Sequence, residues 1–145
     1  MNPEKKSAIL NILLADDDTD DCFFFDKALK EIPIATHLTT VRNGEELMNY
    51  LFENTERLPN VLFLDISMPR KTGFECLTEI KENDKLKDIP VVMFSTSYPR
   101  DLMYEQDMIK MFYENGAQYY IRKPNDFGKF KQVIYDALIK VAEKR

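Results

Sequence analysis

Apolar runs alternate with stretches of helical period along the whole chain. Ile9–Ala15 is apolar but for Asn11 and ends in Asp16-Asp17-Asp18, which reads as a buried strand with acids at its carboxyl end. From Thr19 onward Cys22, Phe25, Ala28, Leu29 and Ile32 recur at a helical period, and Pro33 closes that helix. Thr36–Val41 is short and rich in β-branched residues, a second strand. After Asn43-Gly44, the segment Glu45–Asn54 carries Leu47, Tyr50 and Leu51 at helical spacing. Val61–Leu64 is a third buried strand ending at Asp65, and Gly73–Asn83 a helix with Phe74, Leu77 and Ile80 three apart. Ile89–Phe94 is a fourth buried run, followed by Ser95-Thr96-Ser97. Leu102–Asn115 is helical with Gly116 as its stop, Gln118–Arg122 is a fifth strand before Lys123-Pro124, and Phe127–Glu143 is an amphipathic helix.

Five strands alternating with five helices predict an α/β fold: a doubly wound, five-stranded parallel sheet covered on both faces, with right-handed crossovers. The 145 residues suit one domain filling 1–145, with a core of about 8–143 and no output domain.

In such sheets, sites form at the carboxyl ends of strands. Strand one ends in Asp16 and Asp17, strand three in Asp65, strand four in Ser95 and strand five in Lys123, so three acids, a hydroxyl and an amine converge on one edge. Crowded carboxylates repel and raise one another's pKa, so they call for a cation. Hard oxygen ligands suit Mg²⁺ or Mn²⁺. A metal beside a carboxylate neutralises charge on an incoming phosphoryl group. Lys123 offers a point charge for a phosphoryl oxygen and Ser95 a hydrogen bond for another, which leaves Asp65 as the nucleophile.

Leu13-Leu14-Ala15-Asp16-Asp17, Leu64-Asp65-Ile66-Ser67-Met68-Pro69 with Gly73, Val92-Met93-Phe94-Ser95, and Gly116-Ala117 with Tyr120-Ile121-Arg122-Lys123-Pro124 occur in this order, each at a strand end. With these segments the chain resembles response-regulator receiver domains along nearly its full length, in the manner of single-domain, chemotaxis-regulator-like members. The resemblance implies a flavodoxin-like (βα)5 fold with strand order 2-1-3-4-5. It implies Asp65 as phosphoacceptor, and Asp17, Asp65 and the Ser67 carbonyl as direct metal ligands, with Asp16 acting through a metal-bound water. Ser95 and Lys123 match the family's phosphoryl-contacting residues, and Tyr120 matches an aromatic that turns inward as Ser95 moves. Lys123-Pro124 is expected to be cis. Ser67 and Ser97 are expected to tune the phosphoryl lifetime. The implied phosphodonor is a sensor histidine kinase or a histidine phosphotransfer protein. The signal would leave by the face of helix four, strand five and helix five, toward a downstream protein that the sequence does not name. A homodimer stays open.

Other readings of these residues are blander. Asp18, Asp20 and Asp21 read as an acidic helix start, with Asp18 or Thr19 as cap. Tyr120 is equally compatible with core packing. Of Phe23-Phe24-Phe25, one is expected to be exposed, because three consecutive residues cannot share a helix face. Met103, Met108 and Met111 with Phe112 and Tyr113 make the fourth helix unusually apolar, part core and part candidate partner surface. The stretch from Ser95 to Lys123 is longer than usual for the family, around Tyr98-Pro99-Arg100-Asp101, and that from Asp17 to Asp65 is slightly long, around Asn54–Pro59.

Competing functions fit less well. A haloacid-dehalogenase-type phosphatase also uses an aspartyl nucleophile, but wants Asp-x-Asp-x-Thr/Val. From Asp16 the fifth position is Asp20, and from Asp65 the third is Ser67. A flavodoxin-like cofactor protein needs a hydroxyl- and glycine-rich loop after strand one, where this chain has acids that repel phosphate. A receiver-like scaffold that is never phosphorylated would have no need of all five site residues. A turnover enzyme is therefore not expected. The net charge of −5 argues against nucleic-acid binding. No apolar run approaches the ~20 residues of a membrane span, and a cytoplasmic location is expected. The two cysteines, Cys22 and Cys76, read as reduced, partly buried thiols, and His37 as a surface or structural residue of strand two.

Overall fold

Two strands, β3 (Val61–Asp65) and β4 (Val91–Ser95), are buried at every position. Their only polar side chains, Asp65 and Ser95, come last. A strand apolar on both faces needs cover on both, and crossover helices supply it. The computed structural model describes residues 9–95 and 102–143. Within it β1 (Leu10–Ala15), β2 (Thr36–Val41) and β5 (Tyr119–Arg122) complete a parallel sheet in the order β2-β1-β3-β4-β5. The helices are α1 (Thr19–Lys30), α2 (Gly44–Glu53), α3 (Gly73–Glu82), α4 (Leu102–Glu114) and α5 (Phe127–Glu143).

The strand period of two sorts the core into halves. Leu13, Ala15, Leu62, Leu64, Val91 and Met93 face α2, α3 and α4, where Leu47, Leu77 and Phe112 meet them. Ile12, Leu14, Val61, Phe63, Val92 and Phe94 face α1 and α5, against Phe25, Leu29, Ile134 and Leu138. Slipping a strand by one residue would exchange these sets, so the register is fixed by packing on both sides. Phe25 sits at the centre of the second half, with ring centroids 5.0 Å from Phe63, 5.9 Å from Phe94 and 6.3 Å from Phe130.

Helices begin almost as soon as the strands end. Asp18 caps α1 by accepting from the Asp21 amide, Asn43 caps α2 from Glu46, and Thr72 with Glu75 forms a reciprocal capping box at α3. Short loops therefore stay on the carboxyl edge. Gly73 is required there, because a Cβ at this position would collide with the backbone carbonyl of Asp65.

The structure departs from the sequence reading at the Phe23-Phe24-Phe25 run and at Lys123-Pro124. Both Phe23 and Phe24 are exposed, not one. The buried stripe of α1 is Phe25, Ala28 and Leu29, and the two preceding positions are rotated off it. There is no cis peptide bond among the described residues, so Lys123-Pro124 is trans; the intrinsic difference before proline is only about 0.5–1 kcal/mol. Met108 packs on the core, while Met111 and Tyr113 are exposed. Tyr98-Pro99-Arg100-Asp101 and Ser97 lie outside the described residues. Cys22 and Cys76 are both free, and His37 is exposed on β2. No described helix is long and apolar enough to cross a membrane.

The central position of Phe25 gives a direct test. Phe25→Ala is expected to lower the free energy of unfolding by about 3–5 kcal/mol in urea titration. Phe23→Ala, two residues away but exposed, is expected to stay within about 0.5 kcal/mol of the parent.

Candidate functional site

The edge is held together by backbone bonds just past the strands. The Asp16 amide donates to Val41 (3.0 Å), that of Ile66 to Phe94 (3.0 Å) and that of Lys123 to Ser95 (2.8 Å). Asp16, Asp65, Ser95 and Lys123 are thus anchored at one level, and all four are buried. Asp17, next in the β1–α1 loop, is exposed. Carboxylate oxygens of Asp16, Asp17 and Asp65 all lie within 4.8 Å of one another.

Each acid has a different local environment. Asp16 accepts the Asp18 amide on Oδ1 (2.9 Å) and Lys123 Nζ on Oδ2 (2.5 Å). Asp65 Oδ1 accepts one long bond from the Ser67 amide, 3.4 Å. Burial, reinforced by the Asp16 and Asp17 charges, pushes Asp65 up to about 7 against the pull of Lys123 and Ser67. The Lys123 ammonium would be lowered by its burial, but Asp16, Asp65 and Asp21 together outweigh that and raise it. It also lies 5.3 Å from the centre of the Phe94 ring.

The donor set suits a hard divalent cation. Three carboxylates converge with one lysine among them, and Asp65 resists ionisation in the absence of further positive charge. Asp16, Asp17 and Asp65 could hold such an ion.

Asp16, Asp17, Asp65, Ser67, Ser95 and Lys123 lie on this edge, and Tyr120 sits three residues back along β5. Half-buried on β5, its ring stacks on Phe112 of α4 at 6.3 Å and 18°, and its amide donates to the Tyr113 hydroxyl at 3.1 Å. Two residues went unread. Asp21, assigned to the helix start, accepts from Lys123 Nζ at 3.0 Å. The signal was present: three residues past the cap, position 21 lies one turn along and returns to the side of Asp18. Arg42 donates from Nη2 to the Asp17 carbonyl (3.1 Å) and to Thr19 Oγ1 (3.0 Å), clipping the loop that carries Asp17. No local pattern marks an arginine just past an edge strand for that task.

A doubly wound parallel sheet with an acidic, lysine-bearing carboxyl edge is the class that fold and site define. The chain belongs to the response regulator receiver domain family, whose profile matches residues 12–135. It is 40% identical over 95 residues to response regulator Rcp1 of Synechocystis, covering 62% of this chain and 64% of that relative. The chain thus spans under two thirds of that relative's length. The solved Mn²⁺-bound form of response regulator Rcp1 superposes with a TM-score of 0.75 at 30% identity, covering 88% of this chain and 90% of that one. The phosphorylated cyanobacterial phytochrome response regulator RcpA gives 0.77 at 31%, covering 90% and 91%.

The raised Asp65 pKa makes a signed prediction. A carboxyl whose folded pKa lies above its unfolded value of 3.8 lends stability at low pH that is lost as pH rises through about 7. Without divalent ions, Asp65→Asn should therefore melt above the parent by a few degrees at pH 8, on the scale of ~1 kcal/mol, and the gap should shrink toward pH 5. Mg²⁺ should close the gap at pH 8 by stabilising the parent alone.

Proposed function

We propose that this chain is a phosphorylation-controlled signalling receiver that accepts a phosphoryl group on Asp65 with a divalent ion, Mg²⁺ or Mn²⁺, that Asp17, Asp65 and the Ser67 carbonyl would hold directly and Asp16 through a water. The observation that carries this reading is the buried Asp65 carboxylate beside two further acids and a lysine on the carboxyl edge. The family membership supports it, as do a Mn²⁺-bound relative and a phosphorylated one.

In the reaction an Asp65 oxygen attacks phosphorus. The bond from phosphorus to the donor nitrogen of a phosphohistidine breaks, and that nitrogen keeps the electron pair. With acetyl phosphate the leaving group is acetate. A bound divalent ion would neutralise charge on the phosphoryl oxygens. Lys123 supplies a second positive charge and the Ser95 hydroxyl a hydrogen bond. The donor would be a sensor histidine kinase or a histidine phosphotransfer protein.

Phosphorylation then biases a two-state equilibrium. Ser95 moves toward the phosphoryl group, and Tyr120 turns into the space it leaves. Because Tyr120 stacks on Phe112 and its amide is held by Tyr113, that turn changes the contacts of α4 with β5. The altered face of α4, β5 and α5 is read by a partner protein. On this reading the fold is one receiver unit without turnover chemistry of its own.

Incubation with acetyl phosphate and Mg²⁺ should add the mass of one phosphoryl group. EDTA or Asp65→Asn should abolish the gain, and Asp17→Asn should slow it by at least tenfold, the loss expected on removing a group that holds the metal. A gain that persists in Asp65→Asn would move the acceptor elsewhere.

A further inference from the structure

Lys123 is held by two carboxylates, and neither belongs to the phosphoacceptor. Its Nζ donates to Asp16 Oδ2 at 2.5 Å and to Asp21 Oδ2 at 3.0 Å. Among the described residues no hydrogen bond joins it to Asp65, which acts on it through charge alone. Asp16 belongs to the three-acid group, but Asp21 does not: it stands in the first turn of α1, beyond Asp16. The two partners therefore pull in different senses. Asp16 keeps the ammonium at the site, and Asp21 draws it toward α1.

The pair also borders a pocket on the α1 side that is partly open to solvent. Lys123 and Asp21 border a cavity of about 280 Å³ walled by Phe24, Phe127 and Phe130. Only 5% of the lysine side chain and 27% of that of Asp21 meet solvent. In such surroundings an ion pair is stronger than in water. Two of the three ammonium donors are engaged in this way, so a phosphoryl oxygen on Asp65 can use the third only where these two bonds let the Nζ reach it.

Resting on the phosphoacceptor reading above, we propose that Asp21 is a positioning residue that restrains Lys123 on the α1 side and so opposes phosphorylation. Transfer of the ammonium from Asp21 to a phosphoryl oxygen is then a step of activation, and it leaves the Asp21 carboxylate without its cation. Asp21 works only through Lys123 and touches no reacting atom. The bland role, an acid favoured by the start of a helix, is shared by its neighbour Asp20, which is exposed and makes no such bond. That neighbour supplies the control.

Two readouts separate these roles in the full chain with Mg²⁺. The first is the half-saturating concentration of fluoroberyllate, a phosphoryl mimic, followed by thermal shift. The second is the rate of mass gain with acetyl phosphate. Asp21→Asn should lower the first and raise the second by about tenfold, the scale of one hydrogen bond to a charged group. Asp21→Ala should do so at least as strongly, and Asp21→Glu should remain near the parent. Asp20→Asn, which removes the same charge without touching Lys123, should change either quantity less than twofold. Melting curves verify that each variant is folded, and the alanine variant serves should the asparagine variant not be. Equal effects of Asp20→Asn and Asp21→Asn would reduce the role to general electrostatics and overturn the proposal. So would an unchanged or slower Asp21→Asn in a background where the parent is labelled. If the parent itself is never labelled and never binds fluoroberyllate, the phosphoacceptor reading fails first, and this inference fails with it.

Discussion

Repulsion among carboxylates that the sheet does not allow to separate is the constraint on which the rest depends. Asp16 and Asp65 end adjacent strands whose register is fixed through Ala15 opposite Leu64. Both are nearly removed from water. Neither can retreat without breaking the ladder that holds β1, β3 and β4, so the charge has to be met in place. Lys123 meets part of it, and burial, with the Asp16 and Asp17 charges added to it, still holds the Asp65 carboxyl above the usual carboxylate range. A site that is electrostatically incomplete in this way favours a cation and, behind it, an anionic group that the cation and the lysine share.

That incompleteness is affordable because the layers beneath are so well determined. Alternate residues of β1, β3 and β4 fill opposite halves of the core, and a ring cluster around Phe25, Phe63, Phe94 and Phe130 fixes α1 and α5 against the sheet. Phe94 belongs to this cluster and also lies under the Lys123 ammonium. Packing and site are thus joined through one residue. On the other face, Phe74 at the start of α3 meets Phe112 at a tilt of 44°, and Phe112 stacks on Tyr120. An aromatic path therefore runs from the loop after Asp65 to β5, the edge strand whose surroundings the proposed signal changes.

The sequence made much of this legible for definite reasons. Strands buried on both faces appear as unbroken apolar runs, so an acid or a serine at their ends stands out. That is why Asp16, Asp65 and Ser95 stand out together, whereas Lys123, after the half-exposed β5 and next to Arg122, is marked by its place at the fifth strand end. Interactions that cross between elements leave no such mark. Asp21 lies in a run of acids where helix capping is sufficient explanation, and its bond to a lysine 102 residues away is visible only in three dimensions. Arg42 is equally anonymous. The exposure of both Phe23 and Phe24 was missed because a helix face is set by what packs on it, here Phe25, Ala28 and Leu29, and not by hydrophobicity alone. The isomer at Lys123-Pro124 depends on a small energy difference that a resemblance does not fix.

The identity of the acceptor is open to direct chemical reading. An acyl phosphate is reduced by borohydride, so the residue that carried it is converted to its alcohol and identified by peptide mass spectrometry. After incubation with acetyl phosphate and Mg²⁺, reduction should leave homoserine at position 65 and aspartate at positions 16, 17 and 21. Homoserine at one of those three positions, or at none in a protein that has gained the mass, would contradict the assignment of Asp65.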